Sequence, residues 1–259
     1  MSAGREVRIV AGPAELTRAA AEEVTAALAG LPAPPSILLS GGSTPRALYQ
    51  LVADAAAPHR ARIPWHAVRF FWGDERQVPP DHPDSNYRMA REAMLDHVPA
   101  AAAHVHRIAG EEPDAARAAE LYERDLIGSF HLAADRDGAR PEELDWPRFN
   151  IALLGLGEEG HTASLFPGSP VLDERRHLVA APWVAAKQSY RITVTPPVLN
   201  HAARVIFLVS GAAKANALAA ILEGESQPSL YPAQAIAPQG GRLLWLVDRA
   251  AASRLRQSR

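Results

Sequence analysis

Phe149-Asn-Ile-Ala-Leu-Leu-Gly-Leu-Gly-Glu-Glu-Gly-His161-Thr-Ala-Ser-Leu-Phe-Pro167 is the stretch on which the fold turns. Its first part is a largely apolar run, as in a buried strand, and its second is a glycine-rich loop that sets one histidine just beyond that strand. In α/β proteins, ligands gather there, outside the carboxyl ends of the strands. Two upstream junctions have the same form: Ile37-Leu-Leu-Ser-Gly41-Gly42-Ser43-Thr44-Pro45 and Val68-Arg-Phe-Phe-Trp-Gly-Asp74-Glu-Arg76. Three apolar strands opening into loops of glycine, hydroxyl and charge suggest one shared site.

Outward from these junctions, strands and helices alternate. Pro13 to Gly30 is alanine-rich with helical spacing and is stopped by Gly30 and Pro32. Pro45 suits the first turn of the next helix. Further helices are predicted over Asn86 to His97, Ala115 to Phe130 and Ala212 to Leu222, with a short one after Pro196 and another at the carboxyl terminus. Strands are predicted at His177 to Ala181, Tyr190 to Thr195, Val205 to Val209 and Leu243 to Val247, and Ala134 to Glu143 reads as an exposed connection. This order predicts a doubly wound α/β fold, a mostly parallel sheet with helices on both faces, formed as one domain over residues 1–259.

Composition narrows the function. Hydrophobic residues make up 47% of the 259, enough for a sizeable core, and a formal net charge of -2 offers no field for polyanions. Neither nucleic acid nor membrane is an expected partner. The chain has no cysteine, which removes disulfides, thiolate ligands and cysteine nucleophiles. Its first residues lack a secretion signal, and no apolar run reaches the ~18 residues of a membrane span, so a cytoplasmic protein is expected. Only Lys187 and Lys214 are lysine among 27 basic residues, and Lys214 opens a helix after an apolar strand.

The loops carry candidate chemistry. Gly41 and Gly42 let the backbone approach a ligand, while Ser43 and Thr44 precede a helix whose free N–H groups attract an anion such as phosphate; a plain serine cap is the alternative. No Walker or dinucleotide fingerprint is present, so no nucleotide cofactor is indicated. Lys214 and Arg191 are candidate phosphate contacts or solvated surface charges. His161 is the main candidate for proton transfer, with Glu158 or Glu159 to orient its ring. Asp74 and Glu75 with Arg76 offer two carboxylates and a guanidinium, for substrate or as a structural ion pair. His104 and His106 have metal-compatible spacing but no obvious third ligand. Ser164 lacks the elbow motif of a serine hydrolase.

Together these segments resemble the 6-phosphogluconolactonase family, relatives of glucosamine-6-phosphate deaminases and isomerases with a modified Rossmann-like sheet. The resemblance runs from Ser40 to Lys214 and rests on Leu39-Ser-Gly-Gly-Ser-Thr-Pro45, Trp72-Gly-Asp-Glu-Arg-Gln-Val78, Ser85-Asn-Tyr87, the Gly155 to Pro167 segment, Arg191-Ile-Thr-x-Thr195 and Gly211-x-x-Lys214. It implies hydrolysis of 6-phospho-D-glucono-1,5-lactone, a small sugar phosphate lactone, without metal or cofactor. It also implies roles: Ser43, Arg191 and Lys214 on phosphate, His161 for proton transfer, and Asp74 with Arg76 near the reacting end. The family often has aspartate where this chain has Glu159. Deaminases typically have tyrosine at the place of Arg76 and Asn-Glu-Pro at that of Leu165-Phe-Pro167, so both differences favour the lactonase. A deaminase or a non-catalytic sugar-phosphate sensor are the other readings, and a monomer is expected.

Overall fold

The computed structural model describes residues 5–30, 34–136, 138 and 143–256. Its strands are β1 (Arg5–Val10), β2 (Ser36–Leu39), β3 (Arg69–Trp72), β4 (Asp74–Arg76), β5 (Val105–His106), β6 (Ile151–Gly155), β7 (Val179–Ala180), β8 (Trp183–Val184), β9 (Ser189–Val194), β10 (Arg204–Val209) and β11 (Arg242–Asp248). Its α-helices are α1 (Pro13–Leu28), α2 (Ser43–Ala53), α3 (Pro58–Arg62), α4 (Asn86–Ala93), α5 (Ala115–Phe130), α6 (Pro196–Asn200) and α7 (Ala215–Glu223).

Seven strands form one sheet in the order β1-β11-β10-β6-β2-β3-β5, and every neighbouring pair is parallel. This is the doubly wound α/β class expected from the sequence. The apolar runs Ile37-Leu-Leu39 and Val205 to Val209 are buried throughout, as strands covered on both faces must be. From β2 the chain builds outward through β3 and β5, then returns to the other side of β2 with β6 and builds through β10 to β11. The strand order therefore reverses between β2 and β6, and a crevice opens at their carboxyl ends.

A second sheet is antiparallel, in the order β4-β9-β7 with β8 also paired to β9. Asp74 to Arg76, read from sequence as a loop, is its strand β4: Gly73 turns the chain out of β3, and Asp74, Glu75 and Arg76 pair with Thr193, Ile192 and Arg191. Ile192 and Val194 join the same apolar cluster as the main sheet, so one core runs through both.

Other expectations shift locally. Helix α4 stops at Ala93 because Met94 leaves helical geometry, and Leu95–His97 continues as a 3₁₀ turn. The expected terminal helix is only the 3₁₀ turn Ala251–Arg254. Strand β1 was not anticipated; its half-exposed alternation is that of an edge. Pro32 and part of the Ala134 to Glu143 connection lie outside the described residues. Arg136 within that connection is buried rather than exposed, donating to the carbonyls of Arg176 and Asp145 and lying over the Trp146 ring. No helix among the described residues is long and apolar enough to cross a membrane.

Candidate active site

A cavity of about 290 Å³ occupies the crevice where the strand order reverses. Its wall takes Ser40, Gly41 and Gly42 from the end of β2, Asp74 and Arg76 from β4, Gly155, Leu156, Gly157 and His161 from the end of β6, and Lys214 beyond β10. Arg191 of β9 and Lys187 from the β8–β9 turn complete its charged side.

Buried polar groups clasp the ends of these strands. The Tyr49 hydroxyl accepts the Ser40 N–H at 3.0 Å and donates to the Ser40 carbonyl at 2.9 Å. Tyr122 does the same for Trp72, accepting and donating at 2.9 Å. The buried Asp248 carboxylate accepts the Ser210 hydroxyl at 2.6 Å and the N–H groups of Gly211 and Ala251, fixing the turn that presents Lys214. Gly42, at φ 104, directs the chain into α2, a left-handed conformation that glycine tolerates.

His161 is held on three sides. Phe166 stacks on its ring with centroids 4.2 Å apart. Gly157 backs it so closely that a Cβ there would lie 2.0 Å from Nδ1, and the Gly157 N–H donates to the His161 carbonyl at 2.8 Å. Glu159 Oε1 stands 3.1 Å from Nδ1 but out of hydrogen-bond alignment, a contact that becomes an ion pair only when the ring is protonated. With Nδ1 buried on this side, the other edge of the ring, carrying Nε2, is left for the cavity. Burial pulls the His161 pKa below the ordinary histidine value, Lys214 pulls the same way, and Glu159 and Asp74 only partly oppose them. Burial thus favours the neutral ring, the form a base requires. Burial pushes the Glu159 carboxyl up, but its own backbone N–H, His161 and Lys187 prevail and hold it below the usual range.

Asp74 is buried and braced: Oδ2 accepts the Ser164 hydroxyl at 2.7 Å and Oδ1 the Asn86 amide at 3.3 Å. Glu75 faces away from the cavity. Its carboxylate accepts the N–H groups of Arg76, Asn86 and Tyr87 and the Ser85 hydroxyl, tying β4 to the start of α4, while burial raises its pKa. Only one carboxylate of the pair foreseen in Asp74-Glu75 thus reaches the site.

Arg76 and Arg191 are cross-strand partners, a like-charge pairing that is unfavourable without an anion between them. Burial, then the Arg76 charge, lowers the Arg191 pKa. Arg76 donates to the Asp84 carbonyl, and Arg191 to the Ser189 hydroxyl and the Tyr190 carbonyl. Lys214 lies 3.8 Å from Glu158, a half-exposed pair worth at most about 1 kcal/mol and easily displaced.

The structure thus brings Gly41, Gly42, Asp74, Arg76, His161, Arg191 and Lys214 to one cavity. Ser43 and Thr44 lie one step outside its lining, in the first turn of α2. Glu158 and Glu159 stand behind the wall, against Lys214 and His161. His106 stacks on Phe71 at 4.4 Å and contacts Asp125 at 3.0 Å. Sequence reasoning assigned no role to Asn86 or Phe166, and dismissed Ser164 as a nucleophile without foreseeing its bond to Asp74. The one available signal was that all three lie within the quoted motif segments.

The family model described as glucosamine-6-phosphate isomerases/6-phosphogluconolactonase matches residues 11–245, and the chain belongs to this family. More particularly, it is similar to the 6-phosphogluconolactonase of Synechocystis, at 43% identity over 85% of each chain, and to that of Nostoc, at 41% over 85% of this chain and 84% of the relative. Among solved structures, the 6-phosphogluconolactonase from Trypanosoma cruzi superposes with a TM-score of 0.81 at 30% identity, covering 99% of this chain and 98% of that one.

Proposed function

We propose that this chain is a 6-phosphogluconolactonase, hydrolysing 6-phospho-D-glucono-1,5-lactone to 6-phosphogluconate in the oxidative pentose phosphate pathway. The observation that carries the reading is His161, stacked on Phe166 and backed by Gly157, in a cavity walled by cations, within a family whose relatives bear that name.

In this reading the phosphate settles between Ser43 at the start of α2, Arg191 and Lys214, and displaces Glu158 from Lys214. The lactone carbonyl then faces His161, whose Nε2 takes a proton from the attacking water. Glu159 beside Nδ1 stabilises the imidazolium, which returns the proton to the departing ring oxygen. Asp74, braced by Ser164 and Asn86, and Arg76 position the reacting end. In this proposal the protein is a monomer in the cytoplasm, formed as a single domain. Light scattering tests the monomer.

The decisive assay follows hydrolysis of freshly made lactone by wild type and His161→Ala, with spontaneous opening subtracted. The expected loss in kcat is about 10² or more. Unchanged turnover in the variant removes His161 from the mechanism, and no turnover by wild type overturns the lactonase reading in favour of a deaminase, detected by ammonia release from glucosamine 6-phosphate.

A further inference from the structure

The wall of the cavity holds four cations, Arg76, Lys187, Arg191 and Lys214, against one carboxylate, Asp74, among the described residues. A bound phosphate dianion balances two of the three surplus charges. The third is matched only once hydrolysis begins, when charge gathers on the lactone carbonyl oxygen and then remains on the product carboxylate.

Three of the cations are already engaged: Arg76 and Arg191 with backbone carbonyls and Ser189, Lys214 with Glu158. Lys187 has neither hydrogen bond nor salt bridge among the described residues, yet lines the cavity. It is presented by an exposed, hydrogen-bonded turn. Trp183 packs edge-on against Tyr190 across β8 and β9, and Gln188, at φ 47, closes the loop through two bonds to the Ala185 carbonyl. Lys187 lines the same cavity as His161, whereas Arg191 and Lys214 are already assigned to the phosphate.

We propose that Lys187 meets the C1 end of the substrate, its ammonium binding the negative charge that develops on the carbonyl oxygen and later the product carboxylate. This rests on the lactonase reading for its substrate, but its test does not need turnover. Calorimetry compares wild type, Lys187→Met and Lys187→Arg for three ligands: 6-phosphogluconate, glucose 6-phosphate with its neutral C1, and inorganic phosphate. In Lys187→Met, 6-phosphogluconate is expected to bind about tenfold more weakly, as when a charged hydrogen bond is lost, with the other two ligands little affected. Lys187→Arg recovers most of the loss, and kcat falls in Lys187→Met more than KM rises. An equal loss for all three ligands would place Lys187 on the phosphate and overturn the assignment, as would no loss for any. Absence of turnover by wild type sinks the lactonase reading instead, and leaves these binding differences readable.

Discussion

At the scale of single residues, His161 shows how a side chain is made a base by its surroundings. Burial disfavours the imidazolium, so the pKa lies below the usual ~6.5 of histidine. The neutral ring is the active form, and activity is therefore present above that pKa and lost as pH falls through it. The acid limb of kcat/KM attributable to His161 is expected below the ordinary histidine range. Glu159 raises this pKa, so Glu159→Gln should move the limb to still lower pH while reducing kcat. The substrate phosphate titrates in the same region but identically for both enzymes, so the difference between their profiles isolates His161. A limb that stays in place would show that Glu159 does not act on the ring.

Elements decide how those residues come together. The loops after β2 and β3 are precise because Tyr49 and Tyr122 complete the hydrogen bonding of the last residues that the parallel ladder leaves open. Tyr49→Phe strands the Ser40 N–H and carbonyl in a dry interior, at a cost of about 1–3 kcal/mol, and should lower Tm and raise KM together as the Gly41-Gly42 loop loosens. Thermal melts alongside steady-state kinetics check this, and a changed Tm with unaltered KM would mean that the loop holds its shape without the clasp. The same level explains what was legible in the sequence. His161, Asp74 and Lys214 each follow an apolar run, and a strand's carboxyl end is visible in one dimension. Asn86 and Ser164 matter only because β4 pairs with β9 and because α4 is tied back to Glu75. The β4–β9 pairing and the Ser164–Asp74 bond link positions about a hundred residues apart, and the tie from Asn86 to Glu75, though only 11 residues long, follows no local periodicity. Glu75 misled for the same reason: adjacent residues of a strand face opposite sides, and Asp74 took the cavity.

For the molecule as a whole, the two sheets share one apolar core, in which Ile192 of the smaller sheet is fully buried. Unfolding should be a single calorimetric transition, and Ile192→Ala, which costs about 2–5 kcal/mol, should shift it downward without splitting it. Two resolved transitions would show that the smaller sheet melts by itself. The surplus of cations around the cavity also has a kinetic meaning. The chain carries a net charge of -2, so most of its surface faintly repels phosphorylated metabolites while one mouth attracts them. Such a funnel acts on the approach of the ligand, before any contact is made. Capture from dilute solution should therefore be fast and ionic-strength dependent, slowing as salt shortens the reach of the field to about 8 Å at 0.15 M, while the rate of the bound complex hardly changes.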